Sequence, residues 1–174
     1  MPRPALLVID MLNDFILPGA PLEVKGGRDI IPAIKSEIKK ARDAGIPVFY
    51  LCDSHDKDDK EFRYWPPHAV SGSSGGNIIE ELSPKKGDIV IPKKTLSSFF
   101  ETPLHAELRK RKIDKLILTG VCTNICVLYA AFDGMIRGYG VEIPESCVAG
   151  LSAADHKYAL SQLTEVLKIA KKRK

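Results

Sequence analysis

The 174-residue chain is 44% hydrophobic, which is enough apolar material for one globular domain with a substantial core. No apolar run approaches the ~18 residues that a membrane-spanning helix needs, and the N-terminal residues lack the apolar segment and cleavage site of a signal peptide. We therefore expect a single cytoplasmic domain over residues 1–174 that does not act on a membrane.

The net charge of +4 is mild, and much of it lies in the basic segment 168–174. Such a segment can bind nucleic acid, but it is more often the solvated end of a helix. No aromatic or groove-reading motif accompanies it, so no nucleic-acid partner is expected. The cysteines are scattered along the chain, which favours free thiols over a disulfide framework: Cys52, Cys122, Cys126 and Cys147.

Short apolar runs alternate with segments of helical periodicity along the whole chain. Strands are predicted at 5–9, 47–52, 88–92, 115–118 and 140–143. Helices are predicted at 29–44, 103–112, 124–137 and 153–172, with a short one at 77–82. This alternation predicts an α/β fold with a mostly parallel, doubly wound sheet and helices on both faces.

Polar or reactive side chains follow four of the predicted strands. In open parallel sheets, ligands bind beyond the carboxyl ends of the strands, so these side chains are expected to share one pocket. They are Asp10 after the first strand, Asp53 and His55 after the second, Lys93 after the third, and Cys122 and Cys126 after the fourth.

Cys126 has the surroundings of a nucleophile. Thr123 and Asn124 are good helix caps, which places Cys126 in the first turn of the following helix. The positive helix end and Lys93 are expected to lower the thiol pKa. Asp10 offers a carboxylate that can take the thiol proton and later return it to a leaving group. Together these residues predict a cysteine hydrolase.

Cys122 lies before the helix, in the turn. Its backbone N–H and that of Cys126 are expected to form an oxyanion hole, which leaves the Cys122 side chain without a required role. Simpler interpretations stay open at this point. Cys126 alone could be a small buried hydrophobe, Asp10 has Asp14 as a competitor, and Lys93 has the neighbouring Lys94.

A second polar cluster follows the second strand. Asp53, His55 and His68 offer one carboxylate and two imidazoles, a set that suits Zn²⁺ or another divalent transition metal. From spacing alone, an acidic loop of this kind is more often simply solvated. Trp65, the only tryptophan of the chain, lies in the same loop and could equally be a loop anchor.

Several stretches together resemble the isochorismatase-like cysteine hydrolases, and within them the nicotinamidases. They are "LLVIDMLNDF", "CDSH", "YWPPHAV", "GDIVIPKKTLSSFF", "LILTGVCTNICV" and "GYGVEIPESC". The resemblance implies a catalytic triad of Asp10, Lys93 and Cys126, with Lys93 preferred to Lys94 because the family lysine stands four residues before a Ser-Ala-Phe-like triplet. It also implies a cis peptide between Val121 and Cys122, where the family usually has alanine at the second position.

The same resemblance implies the residues that surround a substrate. The family's metal ligands match Asp53, His55 and His68, and Glu61 stands where some relatives have a further ligand. Phe15 and Trp65 match the aromatic residues that sandwich the pyridine ring, whose nitrogen the metal holds. His105 and His156 lie on predicted helices and are expected only to pack or cap.

The expected reaction is hydrolysis of nicotinamide to nicotinate and ammonia, with pyrazinamide as an analogue substrate and zinc as the metal. The resemblance also implies a homo-oligomer. Another amide or N-carbamoyl hydrolase of the superfamily is the first alternative, and a vinyl-ether-cleaving isochorismatase is a weaker one. A thiol redox protein that uses Cys122 and Cys126 is a more distant alternative.

Overall fold

The computed structural model describes residues 2–171, without the side chains of residues 170 and 171. Its sheet has the strand order β3-β2-β1-β4-β5-β7, with the short β6 paired to β4, and every one of these pairs is parallel. The strands are β1 Pro4–Ile9, β2 Val48–Asp53, β3 Ile89–Lys93, β4 Lys115–Val121, β5 Gly140–Ile143, β6 Val148–Ala149 and β7 Ala170–Lys171. The predicted parallel sheet is confirmed.

Helices cover both faces of the sheet, as a doubly wound fold requires. They are α1 Asn13–Ile16, α2 Ile31–Asp43, α3 Leu104–Lys110, α4 Leu128–Ile136 and α5 Ala153–Ser161. Alternate residues of β1 point to opposite faces, so Leu6 and Val8 pack in a core with α2, while Leu7 and Ile9 pack in a second core with α3 and α4. Because β1 is buried on both faces, it reads as a continuous apolar run.

The final helix was predicted too long. Residues 153–172 are not one helix: α5 ends at Ser161, a π turn covers Gln162–Val166, and β7 follows. The chain turns back because Lys168 has a positive φ of 55°, which lets Ile169 enter the core and β7 pair with β5. The end of the predicted helix, residue 172, lies outside the described residues.

Two other predicted helices differ from the observed structure in the type of helical turn. The helix expected at 124–137 opens as a π turn over Thr123–Val127 before α4, and the short helix expected at 77–82 is a 3₁₀ turn over Glu80–Leu82. Further 3₁₀ turns cover Lys60–Arg63 and Glu145–Cys147. α1 and the 3₁₀ turn Lys60–Arg63 were not predicted, because four-residue elements are too short to show a period.

No helix in the described part of the chain is long and apolar enough to cross a membrane.

Candidate active site

Asp10 is the first residue after β1, at the carboxyl edge of the sheet. Its backbone has φ 51°, a left-handed conformation that Asp tolerates better than most residues. The side chain is buried: Oδ1 accepts a hydrogen bond from the backbone N–H of Asp53 at 2.8 Å, and Oδ2 lies 2.8 Å from the Lys93 ammonium. The carboxylate is therefore fixed beside the end of β2.

Lys93 ends β3 and is buried with its charge paired. Its ammonium donates to the Asp53 carboxylate and, at 3.2 Å, to the carbonyl of Thr95, and it lies 3.6 Å from Cys126 Sγ. Burial disfavours the ammonium, but Asp10, Cys126 and Asp53 raise the pKa of Lys93 well above its usual value. Lys94, the competitor, is exposed and pairs with Asp56.

Cys126 lies in the π turn that precedes α4, and it is buried. Burial raises the pKa of its thiol well above the ordinary value, although the Lys93 charge opposes the shift. Lys93 lowers this pKa as expected, but burial and the Asp10 and Asp53 carboxylates outweigh it, so the net shift is opposite to the expected lowering. A nucleophilic thiolate at this buried position therefore calls for a base that takes the thiol proton.

Asp10 can be that base. One oxygen of Asp10, one oxygen of Asp53 and Cys126 Sγ lie within 4.8 Å of one another. Burial and the neighbouring Asp53 charge raise the pKa of Asp10 to about 6, against the opposing effect of Lys93. A carboxylate with this pKa is ionised at neutral pH and is a better proton acceptor than a solvated aspartate. The three side chains that the resemblance implies as a triad therefore lie close together.

Cys122 caps the turn that carries Cys126. Its carbonyl accepts hydrogen bonds from the N–H groups of Ile125 and Val127 at 3.0 and 3.1 Å, and the Val121–Cys122 peptide bond is cis, as the family resemblance implied. Burial raises the pKa of its thiol to about 12. All four cysteines are buried free thiols. The oxyanion hole formed by Cys122 and Cys126 N–H groups stays a prediction.

Asp53, His55 and His68 form the second cluster, with ligand atoms that all lie within 4.8 Å of one another. His55 Nδ1 lies 3.1 Å from Asp59 Oδ2, and His68 Nδ1 lies 2.8 Å from the carbonyl of Pro66. These contacts orient both rings, and the buried Nε2 of His55 has no hydrogen-bond partner among the described residues. Oriented imidazoles with a free nitrogen beside a carboxylate fit a divalent metal.

The two clusters face one pocket. Its lining includes Asp10 and Cys126 from the first cluster, Asp53 and His68 from the second, and predominantly apolar side chains between them. Those other lining residues are Phe15, Leu22, Glu61, Trp65, Leu96, Val121, Cys122, Ile125 and Leu151. Glu61 is therefore at the pocket but outside the set of three close ligand atoms.

The aromatic residues of the pocket come from two places. Phe15, in α1, is buried with its ring edge-on to His68 at 5.5 Å between centroids. Trp65 lines the pocket and is 38% exposed, so it lies toward the opening. Phe62 was not predicted; it packs edge-on against His55 and His68 at 5.6 and 5.7 Å.

Three other polar residues have structural roles. Asp14, the competitor of Asp10, accepts a hydrogen bond from Ala69 N–H at 2.8 Å and so fixes the chain next to His68. His156 contacts the Thr123 hydroxyl at 2.8 Å, and His105 contacts the Tyr139 hydroxyl at 2.9 Å. Both histidines thus contact side-chain hydroxyls, and the expectation that they only pack or cap stays a prediction, with His156 touching the turn of Cys126.

The sequence profile of the Isochorismatase domain matches residues 4–171. This match covers nearly the whole described part of the chain, and the fold agrees with it. The chain belongs to the isochorismatase family.

Solved structures with similar folds include enzymes named for different amide substrates. A pyrazinamidase/nicotinamidase from Streptococcus mutans has a TM-score of 0.91 at 35% identity and covers 97% of this chain and 99% of its own. An N-carbamoylsarcosine amidase from Thermoplasma acidophilum has a TM-score of 0.90 at 34% identity, with 98% and 96% covered. A pyrazinamidase from Pyrococcus horikoshii in complex with zinc has a TM-score of 0.89 at 29% identity, with 94% and 96% covered.

Curated relatives show the same spread. An uncharacterized isochorismatase family protein from Bacillus subtilis is 35% identical, with 91% of this chain and 93% of the relative covered. A probable inactive nicotinamidase from Arabidopsis thaliana is 34% identical, with 78% and 74% covered. A ureidoacrylate amidohydrolase from Cronobacter sakazakii is 33% identical, with 78% and 69% covered.

Proposed function

We propose that this protein is a cysteine-dependent nicotinamidase, which hydrolyses nicotinamide to nicotinate and ammonia and accepts pyrazinamide as an analogue. The observation that carries the proposal is the pocket itself. A thiol with its acid and its lysine adjoins an Asp-His-His set, with Asp53 next to both groups, and Phe15 and Trp65 line the same pocket. In a flat aromatic amide with a ring nitrogen, the amide group would face the thiol and the ring nitrogen would face the Asp-His-His set.

In the first half-reaction, the Asp10 carboxylate takes the Cys126 proton as the sulfur attacks the carboxamide carbon. The oxyanion that forms accepts hydrogen bonds from the backbone N–H groups of Cys122 and Cys126. When the intermediate collapses, the C–N bond breaks and Asp10 returns the proton to the departing ammonia. The product bound to the enzyme is a thioester on Cys126.

In the second half-reaction, Asp10 takes a proton from water as the oxygen attacks the thioester carbon. Collapse breaks the C–S bond, Asp10 returns its proton to the sulfur, and the acid that forms loses its remaining proton to solvent and leaves as nicotinate. The Lys93 ammonium stabilises both the Asp10 carboxylate and the transient thiolate, because it lies 2.8 Å from one and 3.6 Å from the other.

The metal site fits this proposal. Asp53, His55 and His68 would hold a divalent transition metal, for which zinc is the best candidate from the ligand types, and the metal would supply a Lewis acid for the pyridine nitrogen. We also propose that the protein acts in the cytoplasm as one domain over residues 1–174, as a homo-oligomer. There its reaction would serve salvage of the pyridine ring of NAD.

A second candidate is hydrolysis of an N-carbamoyl compound, because two of the similar proteins are named for such substrates. The same thiol chemistry would act on either amide.

The decisive assay measures ammonia release from nicotinamide, pyrazinamide, N-carbamoylsarcosine and ureidoacrylate, with and without a chelator, and uses Cys126→Ala as the blank. Activity on nicotinamide that the chelator removes is expected. Activity on the N-carbamoyl compounds alone would support the second candidate, and no activity together with oxidation of Cys122 and Cys126 would support a thiol redox protein.

A further inference from the structure

A turn that the proposed reaction does not use holds Lys93 from one side. This turn covers residues 95–97. The Lys93 ammonium donates to the Thr95 carbonyl at 3.2 Å, and the Thr95 hydroxyl donates to the Ser97 carbonyl at 3.4 Å. Leu96, between them, lines the pocket. The position of this turn therefore affects both the lysine and the wall of the cavity.

Ser97 fastens the turn to α4. Its hydroxyl donates a hydrogen bond to one carboxylate oxygen of Asp133 and accepts hydrogen bonds from the N–H groups of Phe99 and Phe100, each at 3.1 Å. Asp133 lies about two helical turns after Cys126, on the helix that continues from the turn of the nucleophile. The π turn and α4, which follow one another without a break, thus carry the thiol and the anchor of the lysine turn.

Asp133 is itself held in place. Its other carboxylate oxygen accepts a hydrogen bond from the Arg137 guanidinium at 2.6 Å, and that guanidinium lies over the Phe99 ring at 5.0 Å. Hydrogen bonds to a charged acceptor are shorter and stronger than neutral ones. The Ser97–Asp133 contact is therefore a well-oriented link and not a loose surface contact.

The sheet does not join the two catalytic residues directly. Lys93 ends β3 and Cys126 follows β4, and in the strand order β3-β2-β1-β4 two strands lie between them. The link through Ser97 bypasses both strands, because it runs from the turn after β3 straight to α4.

We infer that Asp133 is a positioning residue that acts through Ser97: it sets the place of the Lys93 ammonium relative to the Cys126 thiol. The inference rests on the roles proposed above for Lys93 and Cys126, and it does not depend on which amide is the substrate.

The test compares Ser97→Ala, Asp133→Ala, Asp133→Asn and the double variant Ser97→Ala/Asp133→Ala with the wild type. Misplacing a catalytic group can cost up to about a hundredfold, so a partial displacement of Lys93 should lower kcat by about tenfold and change KM less. The double variant should lose no more activity than Asp133→Ala alone, because both substitutions break the same Ser97–Asp133 hydrogen bond. Ser97→Thr keeps the hydroxyl and should restore most of the activity.

Glu107→Ala is the matched control. Glu107 and Arg111 form the same i,i+4 ion pair in α3 that Asp133 and Arg137 form in α4, with comparable exposure of the acidic side chains, 31% and 20%. Glu107 touches no part of the turn 95–97 in the described contacts. Removal of an exposed ion pair changes stability little, so Glu107→Ala should leave the melting temperature nearly unchanged and kcat unchanged.

A readout without substrate separates this inference from the proposed function. The rate at which iodoacetamide alkylates Cys126 at pH 7, followed by fragmentation of the labelled peptide, should fall about tenfold in folded Ser97→Ala and Asp133→Ala, because Lys93 no longer stabilises the thiolate. Wild-type rates in both variants, or an equal fall in Glu107→Ala, would overturn the positioning role.

If the wild type does not hydrolyse nicotinamide but the alkylation rates fall as expected, the positioning role stands and the substrate assignment fails. If Asp133→Ala does not fold, Ser97→Ala, with Ser97→Thr as its rescue, carries the test.

Discussion

At the scale of single residues, the two cysteines of the turn have different surroundings although both are buried in the same pocket. Cys126 has the Lys93 ammonium at 3.6 Å and an Asp10 oxygen within 4.8 Å, whereas the hydrogen bonds described for Cys122 are made by its backbone and its side chain packs in the apolar core. A neutral thiol becomes a nucleophile only where a base can take its proton. We therefore propose Cys126, and not Cys122, as the nucleophile.

Cys126→Ala should abolish hydrolysis, and Cys122→Ala should leave most of it, because alanine retains the backbone N–H that the oxyanion hole needs. Ammonia release under saturating amide checks both variants. The opposite pattern would make Cys122 the nucleophile.

Asp10→Asn and Lys93→Ala should each lower the hydrolysis rate by at least about a hundredfold, since acid–base groups contribute this much or more. Lys94→Ala is the control for the lysine, because Lys94 is exposed and pairs only with Asp56 among the described contacts. Steady-state rates of correctly folded protein, checked by melting temperature, give the comparison. Near-full activity in either test variant would remove that residue from the triad.

At the scale of elements, the site depends on strand ends that the sequence predicts and on loops that it does not. Four residues could be placed at the site from the sequence, because apolar runs mark strands and the carboxyl ends of parallel strands meet at one edge. They are Asp10, Asp53, Lys93 and Cys126. Asp59 and Phe62 support His55 from an irregular loop, and no periodicity in the sequence shows where such a loop folds back. The raised pKa of Cys126 was missed for a related reason, since burial depends on packing that a motif does not show.

His68 gives the element-scale prediction, because it comes from the loop between β2 and β3 and not from a strand end. His68→Ala should weaken nicotinamide binding strongly, since it removes one ligand of the metal that is proposed to hold the ring. Alkylation of Cys126 by iodoacetamide should continue at nearly the wild-type rate. Ligand titration and the alkylation rate measure the two effects separately.

The control for His68 is His105→Ala, which removes a histidine whose described contacts are with Tyr139. Unchanged nicotinamide affinity in His68→Ala would show that the metal is structural or absent. Phe15 and Trp65 would then orient the ring alone.

At the scale of the whole molecule, the clusters bring several charges into the interior. Asp10, Asp53 and Lys93 are buried together, with two carboxylates facing one ammonium. Buried charges cost stability unless they are paired, and a metal held by Asp53, His55 and His68 would place a cation beside the buried Asp53 carboxylate. The site is thus expected to be coupled to the stability of the fold.

Removal of metal should therefore lower the melting temperature as well as the activity. A ligand that binds only the folded state at a hundred times its Kd stabilises it by about 2.7 kcal/mol, which for a domain of this size is a shift of several degrees. Differential scanning calorimetry of the protein with chelator, and then with Zn²⁺ restored, measures the shift. His68→Ala should show a smaller response to Zn²⁺, and equal responses in both proteins would place the bound metal elsewhere.

The strand order also determines when the chain can first become active. Asp10 lies near the start of the chain and Cys126 well into its second half, yet β1 and β4 are neighbours in the sheet. Contacts between distant parts of a chain form late and slowly, because the loop between them must be closed first. Neither half of the chain alone carries a complete triad, and recovery of hydrolysis after dilution from denaturant would report closure of the β1–β4 pair, whereas far-ultraviolet dichroism would already report the helices.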